Sequence, residues 1–122
     1  MATVLTQVGE EWIVDVLDGT SPGTQYIGWG TGAGTAGKSD TTLFTEASEA
    51  RQSATRSQPA ADKIRYVATM TADGSKTITN AGVLTALTGG TLIIHGDFTG
   101  IPLQQNDQIQ FTIDRCGLMS AS

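Results

Sequence analysis

Residues 108–115, QIQFTIDR, alternate without a break, with Ile109, Phe111 and Ile113 on one side and Gln108, Gln110, Thr112 and Asp114 on the other. A period of two gathers apolar side chains on one face only if the backbone is extended. Residues 63–72, KIRYVATMTA, repeat the pattern, with Ile64, Tyr66, Ala68 and Met70 set against Arg65, Val67, Thr69 and Thr71. A strand that is apolar on one face needs neighbouring strands and a second layer to cover that face. Turn signals divide the rest into short extended pieces. Asp73-Gly74 reads as a hairpin turn into a strand over residues 76–87, with a bulge at residues 80–82. Gly89-Gly90 is the next turn, followed by a strand over residues 91–98, and Pro102 with residues 104–107 precedes the last strand. Upstream, residues 25–30 read as a strand carrying Tyr26 and Trp29, and residues 41–45 as a short extended piece. Residues 46–56 fit either a helix or a polar strand reaching toward Gln58, ended in both cases by Pro59. The pattern predicts an antiparallel sandwich or barrel-like sheet over about residues 25–115.

The N-terminal stretch follows a different rule. Val4, Leu5, Val8, Trp12, Ile13, Val16 and Leu17 recur at intervals of one, three and four. That spacing predicts one amphipathic α-helix over about residues 3–18, with Thr3 as N-cap and Gly19 as terminator. Gly9 interrupts it at a cost of about 1 kcal/mol. The apolar stripe must be buried against the sheet or against a second copy of the chain.

With 122 residues the chain is read as one domain, 1–122, able to bury a core but helped by oligomerisation. A net charge of −5 argues against a protein that tracks nucleic-acid phosphates. Arg51, Arg56, Lys63 and Arg65 form a loose basic group, but Glu46, Glu49 and Asp62 interleave with it, as on a solvated mixed-charge surface. Cys116 is the only cysteine, which excludes an intrachain disulfide and a cysteine metal cluster. The first residues lack the basic and apolar regions of a signal peptide, and no apolar run approaches a membrane span, so synthesis in a cytoplasm and no membrane partner are expected.

The strongest motif match is in the Gly-rich loop, residues 31–40, which follows the YIGWG strand. Gly32, Gly37, Lys38 and Ser39 fit G-x-x-x-x-G-K-[ST], and Gly32, Gly34 and Gly37 fit G-x-G-x-x-G. A phosphate-binding loop needs a buried parallel strand before it and a helix starting at its lysine and serine. Here the strand is short, the following residues are poor helix starters, and the rest of the chain lacks βαβ units. The loop is therefore read as a flexible surface loop that imitates a phosphate cradle, and nucleotide binding is the third functional reading. No cofactor is expected.

His95, the single histidine, lies in an apolar strand and reads as a structural or interface residue. Glu46 and Glu49 could pair as acid and base, but a solvated acidic segment is the simpler reading. Asp15 with Asp18, and Asp97 with Asp107, have no metal-ligand spacing behind them. Trp12, Trp29 and Tyr26 could line a ligand groove, although core packing is the default for such side chains. No catalytic residue is assigned, and the chain reads as a non-enzyme.

Four pieces carry a resemblance: YIGWGTG at residues 26–32, DTTLFTE at 40–46, EAR at 49–51 and FTID at 111–114. Together with the N-terminal helix and the strands, they make the chain resemble small virion proteins of tailed bacteriophages. The resemblance implies a non-enzymatic, jelly-roll-like β-sandwich subunit, commonly a homotrimer. It implies first a head decoration (cement) protein that contacts the major capsid protein on the outer head surface, stabilising the lattice by binding only its assembled form. The alternative it implies is a tail or fibre-tip module that attaches to host glycans. Candidate contact residues are Trp12, Tyr26, Trp29, Arg51, Arg56 and Arg65. Residues 116–122 are read as a flexible tail or a contact arm.

Overall fold

The computed structural model describes residues 2–19, 21, 23–61 and 63–116. In chain order the elements are β1 (Ala2–Leu5), α1 (Gln7–Leu17), β2 (Tyr26–Gly30), β3 (Gln52–Ser53), β4 (Thr55–Ala60), β5 (Lys63–Thr71), β6 (Lys76–Leu84), β7 (Leu92–Leu103) and β8 (Gln108–Cys116). They form two antiparallel sheets, one in the order β1-β7-β6-β2-β3 and the other in the order β4-β5-β8. The mainly β architecture with one N-terminal helix is the one expected.

Register explains how the sheets face each other. Leu5, Ile94, Val83 and Ile27 lie side by side across the larger sheet and meet Tyr66 and Ala68 of the smaller one. A second cluster joins Trp29, Ala81 and Ile78 to Met70, Ala72 and Leu103. Ile64, Phe111 and Ile113 pack on these clusters from β5 and β8, on the faces their alternation assigned. The helix closes one end of the sandwich, with Trp12 and Ile13 against the first cluster. Its approach is tight: a Cβ on Gly9 would lie 2.5 Å from the Ile93 carbonyl oxygen, so only glycine fits there. No described helix is long and apolar enough to cross a membrane.

The expected helix over residues 3–18 is shorter than predicted. Ala2–Leu5 is a strand on the edge of β7, and the N-cap is Thr6 rather than Thr3. The Thr6 hydroxyl accepts from the Gly9 amide at 3.0 Å and donates to the Leu92 carbonyl. Val4 and Leu5 fit the helical spacing by coincidence, because pairing with β7 satisfies backbone groups that a helix start leaves open. Gly19 does end the helix, at φ 114°.

Asp73-Gly74 is not a hairpin turn. β5 and β6 belong to different sheets, and the segment between them crosses the sandwich. The Ala72 carbonyl accepts from the Asn106 amide and the Ala72 amide donates to the Asp107 carbonyl, so two crossovers brace each other. The proline signals were also too strict. β4 runs through Pro59 because it is an edge strand with a register shift between Ser57 and Ala60, where no ladder bond is lost. β7 runs through Pro102 because β1 covers it only as far as Asp97. Cys116 closes β8 rather than opening a tail, and the tail expected beyond it, residues 117–122, lies outside the described residues.

Candidate functional site

The Gly-rich loop is anchored, contrary to its reading as flexible. It and the segment after it cover the outer face of the larger sheet. The Thr31 and Gly32 amides donate to the Thr45 and Phe44 carbonyls, and the Thr79 hydroxyl donates to the Gly32 carbonyl. A Cβ on Gly30 would lie 2.3 Å from the Phe44 carbonyl oxygen, so the covering chain rests directly on the strand backbone. The Ala36 amide donates to Asp97 and the Gly37 amide to Asp40, each at 2.8 Å. Two amides of the apparent phosphate cradle therefore serve the protein's own carboxylates. Lys38 pairs with Glu10 at 2.9 Å, and its carbonyl accepts from the Gln7 amide at the start of α1. Residues 38–39 form a turn, and no helix follows them. The phosphate-loop match is a match of letters only.

His95 is fully buried beneath this cover. Its Nδ1 lies 2.7 Å from an Asp40 oxygen and its Nε2 lies 3.0 Å from Asn80 Oδ1. The Asn80 amide is fixed in turn by the Phe44 backbone, and the Phe44 ring sits edge-on to the imidazole at 4.6 Å. This cluster ties the loop to β6 and β7. It has no open side at which a substrate could reach the histidine.

Trp29 is not on the surface. It is 1% exposed, stands edge-on to Phe111 with ring centroids 6.0 Å apart, and donates its indole N–H to Glu49 at 3.0 Å. Burial withdraws it from the candidate contact residues. Glu49 is not part of a solvated segment either, its side chain being 6% exposed. It also accepts from the Asp73 amide and pairs with Lys76, which bonds Asp73 as well. Burial opposes the Glu49 charge most strongly, but bonds from Lys76, Asp73 and Trp29 together hold its pKa below the ordinary value. Lys76 is the mirror case: burial works against its charge, and Asp73 and Glu49 outweigh it to raise its pKa.

The arginines do not form a patch. Arg51 forks onto Glu46 at 2.7 and 2.9 Å and also donates to the Ala86 and Gly89 carbonyls. Arg65 forks onto Asp114 at 2.7 and 3.0 Å, and that bond with its charge holds the Asp114 carboxyl below its usual range. Arg56 bonds the Gln25 side chain. Each of these guanidiniums is committed to a partner within the chain.

Two openings lie among the described residues. One is an apolar groove of about 250 Å³ between α1 and the smaller sheet, lined by Trp12, Val16, Leu17, Ile64, Tyr66 and Arg56 among others. Half-buried Trp12 is the candidate residue that lies here, with Arg56 beside it. The other is a cleft of about 340 Å³ at the open side of the sandwich, between β7 and the β8 edge, where Phe98, Ile109 and Phe111 are partly accessible. Tyr26 lies apart from both, half-buried on β2 opposite Leu84. Among the described residues no group of three metal-ligating side chains comes together. Sequence reasoning missed the Glu49–Lys76–Asp73 and Asp40–His95–Asn80 clusters, whose members lie far apart in the chain. The available signals were polar residues within apolar strands, Asn80 and His95.

A sequence-family profile described as "Podophage GP4 fiber I protein gp80" matches residues 4–118. No curated protein matches the chain.

Proposed function

Because the chain belongs to the podophage GP4 fiber I protein gp80 family, making it a small tail- or fibre-associated virion structural protein, we propose that it works in the fibre by assembly rather than by catalysis. The observation that carries this reading is the family match over nearly the whole sequence. The geometry supports it, since the polar groups a catalyst would use are turned inward onto each other. Glu49, Lys76, His95 and Asp40 brace the fold and line neither of the two openings described above.

The proposed partners are other virion components and further copies of the chain, in the homotrimer expected from sequence. Nine-residue β8 favours this, because among the described residues its outer edge pairs with no other strand and lies beside an apolar cleft. Trp12 and Arg56 at the groove, Tyr26, Arg51 and Arg65 are the contact residues carried forward from the sequence. Fibre placement takes precedence over the head decoration first expected, in which the partner is the major capsid protein. Host-glycan contact at a fibre tip loses its main residue with the burial of Trp29.

Immunogold labelling of purified particles tests the placement. Label confined to the tail fibres is the expected result. Label spread over the head overturns fibre placement and returns the decoration reading. Sedimentation of the isolated chain tests the trimer, and a monomer across the accessible concentration range rejects it.

A further inference from the structure

The sheet edges of this fold are not equally protected. β3 has two residues and β1 has four. β4 carries Pro59 and a register shift between Ser57 and Ala60, and β7 beyond its pairing with β1 carries Gly100 and Pro102. Short length, proline and bulges keep an edge from pairing with another chain. β8 uses none of these devices. It runs for nine residues in unbroken register with β5, without proline or glycine, and among the described residues no strand pairs with its outer side. Ile109, Phe111 and Ile113 also line the cleft beside it, so one added strand extends the sheet and closes the cleft together.

The residues of β8 suit a second β8. Two copies pair antiparallel about a two-fold axis perpendicular to the sheet, which keeps both inner faces on the same side. Because side chains alternate, faces match only when the register centres on a residue. Centred on Phe111, Phe111 stands opposite its own copy, Ile109 opposite Ile113, Gln110 opposite Thr112 and Gln108 opposite Asp114. Centred one residue later, Ile109 stands opposite Arg115; centred one residue earlier, Ile113 stands opposite Asp107. Only the Phe111 register gives Ile109, Phe111 and Ile113 apolar partners throughout, and such cross-strand pairs are what stabilise a sheet.

We propose that β8 is a self-pairing edge, joining two copies antiparallel through residues 108–114 with Phe111 at the centre. The joined sheet has the order β4-β5-β8-β8-β5-β4. This pairing rests on the reading that further copies of the chain assemble with it, and names the contact they use. It is two-fold, so it yields dimers, or hexamers where it links trimers.

The test uses two double variants of the full chain. Gln110 and Thr112 are exposed, so changing them leaves the core intact. Q110K/T112K sets ammonium groups opposite each other across the axis, whereas Q110K/T112D sets an ammonium opposite a carboxylate. In sedimentation velocity the unaltered chain is expected to form dimers or hexamers. Q110K/T112K is expected to weaken that association about tenfold, and Q110K/T112D to associate like the unaltered chain. Hydrogen exchange at the amides of residues 108–114 is expected to slow with rising concentration in the unaltered chain and not in Q110K/T112K. Equal weakening in both variants overturns the pairing. A trimer unchanged by either variant also overturns it, while leaving assembly from further copies standing. A monomer throughout overturns both and leaves the edge to another virion component. None of these results bears on where the protein sits in the particle.

Discussion

Glu49→Gln isolates what holds the covering segment to the sandwich. One Glu49 oxygen accepts from the Trp29 indole, and the other accepts from the Asp73 amide and faces Lys76. Glutamine keeps the shape but replaces one oxygen with a donor, so either Trp29 or the Asp73 amide loses its acceptor. Trp29 and Glu49 are both nearly inaccessible to water, so the lost bond is not replaced by solvent. Leaving one buried donor unsatisfied costs about 1–3 kcal/mol. Lys76 keeps Asp73 as a partner, which argues for the middle of that range. About 2 kcal/mol corresponds to a Tm lowered by roughly 8 °C in a chain of this size. The effect must also depend on pH. The folded Glu49 pKa lies below its ordinary 4.5, so its contribution is complete above that value and is lost as pH falls through the folded value. Glutamine does not titrate, and Asp73 titrates in both proteins. Urea melts followed by tryptophan fluorescence at pH 7 and at successively lower pH therefore show a gap that narrows in acid. A gap below about 0.5 kcal/mol at pH 7, within the range of an ordinary surface change, refutes the reasoning, and so does a gap that persists unchanged into acid.

Other substitutions test single contacts. Gly9→Ala raises helix propensity by about 1 kcal/mol, yet it is expected to destabilise the protein in thermal melts, because the added Cβ meets the β7 backbone at Ile93. Thr6→Ala is expected to cost about 1–2 kcal/mol, whereas Thr3→Ala changes stability little; equal effects in denaturant melts refute the assigned cap. Lys38→Ala removes a partly exposed pair with Glu10 worth less than about 1 kcal/mol, and titration calorimetry with ATP is expected to show no binding before or after the change. Trp29→Ala is expected to cost about 3–5 kcal/mol, read as a large fall in Tm, because the side chain is core and not a surface contact.

The parts of the fold legible in the sequence are those set by local spacing. Alternation in β5 and β8 identified both strands and the faces they bury, and Gly89-Gly90 marks the connection between β6 and β7. Trp12 was placed on a packed helix face, as found. The arginine group was legible only as a list. Arg51, Arg56 and Arg65 are near one another in the chain, but their partners, Glu46, Gln25 and Asp114, point them to different places.

By itself the sequence determined that β5, β6, β7 and β8 are extended, which faces of β5 and β8 are apolar, and that a helix lies near the N-terminus, because periodicity acts within a few residues. Only the tertiary structure decided which strands pair. Asp73-Gly74 suits a hairpin locally, yet burying both β5 and β6 between layers sends them to opposite sheets. Val4 and Leu5 suit a helix locally, yet the β7 edge takes them as a strand. The Gly-rich loop suits a phosphate locally, yet Asp40 and Asp97 arrive to occupy its amides. In each case a backbone group had two possible partners. The one supplied by a distant part of the chain prevailed because burial leaves no water to satisfy the group instead.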